Sequence, residues 1–213
     1  MATDASLTTA TRPRDVVNAA GAWLGAALAA EGFRWLPRRR RLEREAGGLL
    51  HRISLAPSAY NRTGSSIEVT TYVSVHDPAL RARRGGDDDL VCGHALGYTA
   101  GRANGYVYGD FTDGQLQLAD PVLRLGVLER FAATVREGVL PWFAEASDVE
   151  TVVGSFAGDH TANPEALVDW LASRGRPDLV AAYGARYLAR HPGREEGWAA
   201  RIARGNGGPP AGR

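Results

Sequence analysis

The sequence predicts an α+β fold: an antiparallel sheet of about four to five strands with helices packed on one face, followed by a C-terminal helical segment. Three observations carry this. Residues 67–76 alternate, with Ile67, Val69, Thr71, Val73 and Val75 set against Glu68, Thr70, Tyr72, Ser74 and His76, as a half-buried antiparallel strand requires. Two long segments instead repeat apolar residues at i, i+3 and i+4, the helical period. Strands and helices also come in blocks, not in the β–α–β order of a parallel nucleotide-binding sheet.

The first helix is expected over residues 13–31. Val16, Val17, Ala20, Trp23, Leu24, Ala27 and Leu28 form its apolar stripe, Thr11 is placed to cap it, Pro13 suits its first turn and Gly32 stops it. Residues 33–45 read as extended. Gly47-Gly48 turns the chain into a second run, 49–57, in which Leu49, Ile53 and Leu55 point one way and Leu50, Arg52 and Ser54 the other. The segment AYNRTGSS before the alternating strand is turn chemistry, and RARRGGDDD after it reads as a solvated loop. Shorter extended pieces are expected at 90–98 and 106–111.

Asp120-Pro121 opens the second helix, with Val122, Leu125, Leu128, Phe131, Ala132 and Val135 as its stripe. That helix is expected to end near Gly138, with Pro141-Trp142-Phe143 packing back on the core. Ser147 and Glu150 have capping-box spacing. From residue 163 to 204 helices of about ten, fourteen and ten residues are punctuated by Gly175-Arg176-Pro177 and His191-Pro192-Gly193. The organisation is thus a flexible lead over 1–12, an α+β domain over 13–155, a helical segment over 156–204 and a disordered tail over 205–213.

Composition narrows the chemistry. The 213 residues include 25 basic and 24 acidic ones, a net charge of +1 that gives no reason to expect nucleic acid as a partner. All the basic residues are Arg, so Schiff-base and P-loop lysine chemistry is excluded. One Cys rules out an internal disulfide and fits a reducing, cytoplasmic setting. No apolar run approaches the ~20 residues of a membrane span, so no membrane is expected, and the N-terminal residues lack the pattern of a secretory signal.

Candidate chemistry is sparse. Cys92 and His94, at i and i+2 of an extended segment, share a face and can pair as nucleophile and base. Against this, the apolar neighbours Leu90, Val91, Ala95 and Leu96 and the upstream aspartates raise a thiol pKa, which predicts a buried, unreactive Cys92. No second ligand pair completes a zinc site there. Asp87-Asp88-Asp89 lacks calcium-loop spacing. Gly93, Gly97, Gly101, Gly105 and Gly109 recur every fourth residue without any phosphate-loop motif. The cluster 38–41 reads as a charged edge strand, and Asp159-His160 as a polar loop. No cofactor or metal is expected. The polar strand face, Arg52, Ser54, Tyr72, Ser74 and His76, combines a guanidinium with an aromatic ring and is the expected binding face.

A helix ending in Gly32-Phe33, basic extended residues, the run GGLLHRISLAPSAYNRTGSSIEVTTYVSV, a Cys-bearing segment and a long helix ending in Pro141-Trp142-Phe143 follow in order. This layout, over about residues 15–150 and including Ser58, 67–75 and Cys92, resembles a bacterial family known only as domain of unknown function four-three-zero-four. The resemblance implies a small cytosolic α+β domain and brings no activity. Three functions are therefore open: a non-catalytic binding or accessory protein, such as an immunity-like one, that recognises a protein or small ligand; an enzyme using Cys92 and His94; and an oligomerisation module built on the C-terminal helices.

Overall fold

The centre of the structure follows from Gly47, Gly48 and the alternation in residues 67–76. Strands β2 (Arg41–Ala46) and β3 (Leu49–Pro57) are joined by the two glycines, whose φ values of 59° and 78° are the left-handed geometry of a two-residue hairpin turn. Strand β4 (Glu68–His76) pairs antiparallel with β3 from Leu50↔His76 to Pro57↔Val69. Outside them lie β1 (Arg34–Leu36), paired with β2, and β5 (Leu90–Ala95), paired with β4. Strand β6 (Gln115–Gln117) pairs with the other end of β4, giving a six-stranded antiparallel sheet in the order β1-β2-β3-β4-β5 with β6 beside β4. The chain is seen in a computed structural model that describes residues 4–84, 88–99, 114–195 and 197–198.

Register assigns the two faces. Leu42, Ile53 and Val73 form one row and His51, Val75 and Cys92 another, both on the face that meets the helices. Against it pack α2 (Pro13–Ala27), α5 (Arg124–Thr134) and α6 (Leu140–Ser147), with Val16, Val17, Ala20, Leu24, Leu128, Phe131, Trp142 and Phe143 buried. Helices α8 (Pro164–Ser173) and α9 (Pro177–Arg190) close the β5 end, where Leu167, Trp170, Leu171, Val180 and Tyr183 join the same core. The remaining short helices are α1 (Asp4–Thr9), α3 (Ala79–Arg84), α4 (Leu96–Thr99) and α7 (Phe156–Asp159).

Several local expectations differ from the structure. Residues 33–45 are not one extended run but two strands around a turn at 37–40, so Arg38, Arg39 and Arg40 occupy a turn and only Arg41 starts a strand. Pro37 sets the turn, whose Arg39 N–H donates to the Leu36 carbonyl. Helix α2 ends at Ala27, and its N-cap is Arg12 without a side-chain bond, not Thr11. Within the N-terminal lead, residues 4–9 form α1 and Leu7 is buried. Val122 is 83% exposed and lies outside the apolar stripe, because α5 starts only at Arg124. The helix does not stop at Gly138: a π-helical turn over Val135–Val139 leads directly into α6. Pro141 explains the widened turn, since it lacks an N–H and its ring crowds the carbonyl of residue 137 in a regular helix. Ser147 closes α6 and caps nothing; Asp148 accepts from the Glu150 N–H instead. Extended residues end at Ala95, while 106–111, the third C-terminal helix beyond Trp198 and the tail 205–213 lie outside the described residues.

Candidate binding face

On the polar face of the sheet, adjacent cross-strand rows are Arg41–Ser54–Tyr72–Ala95, Glu43–Arg52–Ser74–Gly93 and Glu45–Leu50–His76–Leu90. Arg52, Ser54, Tyr72, Ser74 and His76, the five residues expected on one face, are therefore brought together by register. They do not share one environment. Arg52 is only 6% exposed and fully engaged: its Nε donates to Glu43 Oε2 at 2.9 Å and its terminal nitrogens meet Asp89 at 3.2 and 3.4 Å. Arg41 also lies 2.6 Å from Glu43, and Arg81 donates to Asp89 at 3.0 Å. The solvated loop expected after β4 is corrected here. Residues 79–84 are helical, and Asp89 is buried as the hub of this network; Asp87 lies outside the described residues.

His76 completes the network. Its Nδ1–H donates to Asp89 at 2.5 Å, and the Ser74 hydroxyl donates to Nε2 at 2.8 Å. Burial and the nearby Arg52 guanidinium pull the imidazole down to about 4, against the pull of Asp89. Burial opposes ionisation of Asp89, but the bonds from Arg81 and His76 prevail and hold its carboxyl at about 2. The chain Ser74–His76–Asp89 has the connectivity of a hydrolytic triad. Its electrostatics are those of a structural link. Two guanidiniums engage the carboxylate that would stabilise an imidazolium, and an imidazole near 4 is a poor proton acceptor for a serine hydroxyl. The Gly93 N–H in the row beside Ser74 is turned to Thr161 and offers no oxyanion contact.

Tyr72 stands apart, 46% exposed on the same face. It divides two hollows. One, of about 650 Å³, is lined by Pro57, Ser58, Tyr60, Ser66, Glu68, Thr70, Ala95 and Gln115 as well as Tyr72. The other, of about 350 Å³, runs over Ser74, Leu90, Gly93 and Ala95 to Ala162 and Asn163, with His94 on its wall. Tyr60, 84% exposed, faces Tyr72's larger hollow from the β3–β4 connection. That connection is held in shape by Asn61, which accepts from the Glu68 N–H and donates to the Glu68 carbonyl. Two exposed phenols thus border one groove with hydroxyl, amide and carboxylate groups between them, a lining that combines aromatic area with hydrogen-bond capacity.

Cys92 is fully buried, and burial pushes its thiol above the free-thiol range. His94 shares its face but accepts from the Ala95 N–H, and burial lowers its pKa. Gly93 between them is needed for close approach, since a Cβ there would meet the Val73 carbonyl at 2.9 Å. Gly101, Gly105 and Gly109 of the four-residue glycine spacing lie outside the described residues. Asp159 pairs with Arg186 and Arg190, and His160 stacks on Phe156. Among the described residues, no three His, Cys, Asp or Glu side chains converge to hold a metal ion, and no helix is long and apolar enough to cross a membrane.

Tyr60 is absent from the residues singled out in the sequence, where AYNRTGSS reads only as turn chemistry. The available signal is a large aromatic in a segment otherwise made mostly of turn formers, with only the small Ala59 apolar beside it. No family model, curated protein or solved structure matches the chain.

Proposed function

We propose that the protein is a non-catalytic binding or accessory protein, of the immunity type in its general design, acting in the cytoplasm on a protein partner or a small ligand through the polar face of its sheet. The observation that carries this reading is the pair of exposed tyrosines on one groove, Tyr60 and Tyr72. Exposed aromatic side chains beside polar groups supply contact area at small entropic cost, which is why tyrosines dominate binding hot spots. The ion-paired network beneath, Glu43–Arg52–Asp89–His76, holds the strand surface rigid beside Tyr72. A thiol enzyme based on Cys92 and His94 is the weaker reading, because burial keeps the sulfur protonated and out of reach. The oligomerisation reading loses its apolar stripe to the core, in which Leu167, Trp170, Leu171, Val180 and Tyr183 are already packed. The resemblance to domain of unknown function four-three-zero-four adds no activity to any of these.

The test is a ligand and partner screen followed by titration against Tyr60→Ala and Tyr72→Ala. A bound species whose affinity drops about 30-fold or more in either variant, the level of a hot-spot tyrosine, supports the reading. Equal affinity in both variants, with folding unchanged, overturns it.

A further inference from the structure

The three consecutive arginines in the β1–β2 connection, Arg38, Arg39 and Arg40, take no part in the groove between the tyrosines. Beside the Pro57–Ser58 segment lies another pocket of about 520 Å³, whose ten lining residues include Pro13, Pro37, Pro57, Arg14, Arg38 and Arg40. Three of these ten side chains are guanidiniums and none is acidic. Several arginines elsewhere are matched: Arg41 and Arg52 by Glu43, Arg136 by Glu31, Arg174 by Asp77, Arg186 and Arg190 by Asp159. Among the described residues, no carboxylate lies within ion-pair distance of Arg14, Arg38 or Arg40. In a chain of net charge +1 this is a local excess of three positive charges.

The walls are preorganised. Pro13, Pro37 and Pro57 each fix a backbone torsion at the rim, so little ordering accompanies binding. Arg40 is held at φ 47°, a left-handed conformation that a non-glycine residue rarely takes, and its carbonyl is locked by the Leu55 N–H at 2.8 Å. The backbone thus maintains Arg40 at the pocket against its own preference. Guanidinium forks match the paired oxygens of phosphate, and three such forks balance the roughly threefold negative charge of a diphosphate near neutral pH.

We infer that this pocket binds a small molecule through a diphosphate group, with Arg14, Arg38 and Arg40 as its recognition residues. The pocket lies within the size range of small-ligand sites and leaves room for a modest organic portion beyond the phosphates. This site shares Pro57 and Ser58 with the tyrosine groove, but its arginines do not line that groove.

The experiment is calorimetric titration of the full chain with inorganic pyrophosphate, with citrate as a carboxylate probe of similar charge and a short single-stranded RNA as a polyanion. Arg38→Gln removes one cation. Arg40→Gly removes another while relieving the left-handed strain, so its folding is secure. Arg83→Gln, on exposed α3, is the charge control. The expected result is saturable pyrophosphate binding at least 10-fold tighter than citrate, weakened 10-fold or more by Arg38→Gln and by Arg40→Gly, and unchanged by Arg83→Gln and Tyr60→Ala. Absent saturation, citrate binding as tight as pyrophosphate, a loss in Arg83→Gln equal to that in Arg38→Gln, or RNA binding 100-fold tighter than pyrophosphate would each overturn the proposal.

Discussion

Cys92 and His51 are neighbours in successive positions of one cross-strand row, through Val75, and each shows what burial does to a titratable group. Cys92 has no charged partner to offset desolvation, so its thiol stays protonated. Labelling by a thiol reagent at pH 7 is therefore expected to be at least 100-fold slower in the folded chain than in the unfolded one, and to accelerate with urea as the structure opens. Rapid labelling without denaturant would contradict the buried placement. His51 stacks on Phe143 at 4.4 Å, donates from Nε2 to Ser147 at 2.7 Å and accepts from Arg44 at Nδ1, which leaves no place for a second proton. Burial and Arg44 pull it down to about 4, and His76 lies as low. Because both folded-state values are below the unfolded ~6.5, the unfolded chain binds more protons between pH 6.5 and 4, so stability falls as pH falls through that window. Each histidine should cost on the order of 1 to 2 kcal/mol between pH 7 and pH 5. Asp89, held at about 2, adds its loss only below about pH 4. Urea midpoints at pH 7 and pH 5 measure this, and His51→Gln should flatten the slope; an unchanged slope would remove His51 from the account.

At the scale of elements, α2 meets β1 through two glycines that a hydrophobic pattern does not mark. A Cβ at Gly21 would lie 2.3 Å from the Trp35 ring, and one at Gly25 would lie 2.9 Å from Trp35 Cβ. Gly21→Ala should therefore destabilise the fold by about 2 kcal/mol net, an overpacking cost of up to about 3 set against a helix-propensity gain of about 1. In a Trp35→Ala background the clash disappears and the same change should stabilise by about 1 kcal/mol. Thermal unfolding of the four proteins checks the sign reversal. The stripes of α2 and α5 and the alternation of β4 were legible because each has a period that one segment carries by itself. The hairpin at 37–40 was not, since the three arginines after Pro37 read as part of a charged extended run and Arg40 takes a left-handed conformation that the sequence does not announce. Nor was the widened turn before Pro141, which depends on the helix continuing past Gly138. The candidate site was half legible: period two put Arg52, Ser54, Tyr72, Ser74 and His76 on one face. What each does there depends on Glu43 and Asp89, which only strand register brings to Arg52 from 9 and 37 residues away.

Across the whole molecule, one carboxylate connects the sheet to the C-terminal helices. Asp77, at the end of β4, is buried; its backbone N–H donates to the Asp89 carbonyl at 2.7 Å, and its Oδ1 accepts from the Ala79 N–H at the start of α3. Its Oδ2 accepts from the Trp170 indole on α8 at 3.1 Å and from Arg174, the residue that caps the end of α8, at 2.6 Å. A second tie lies close by, where the Ala162 N–H donates to the Gly93 carbonyl and closes the outer edge of β5. Asp77→Ala removes a helix-start bond and strands the buried indole N–H, while Arg174, partly exposed, recovers water. The expected loss is about 2 to 3 kcal/mol, dominated by the unsatisfied indole and the lost cap, with little from the screened ion pair. If the two ties bind the C-terminal helices into one cooperative unit, far-ultraviolet circular dichroism and Trp fluorescence should still report a single coincident transition at a lower midpoint. Cys92 labelling under native conditions should also rise in Asp77→Ala, because β5 is covered by the helices that Asp77 holds. Two separated transitions, the first lost on deleting residues from 164 onward, would show instead that the sheet domain and the helices unfold independently.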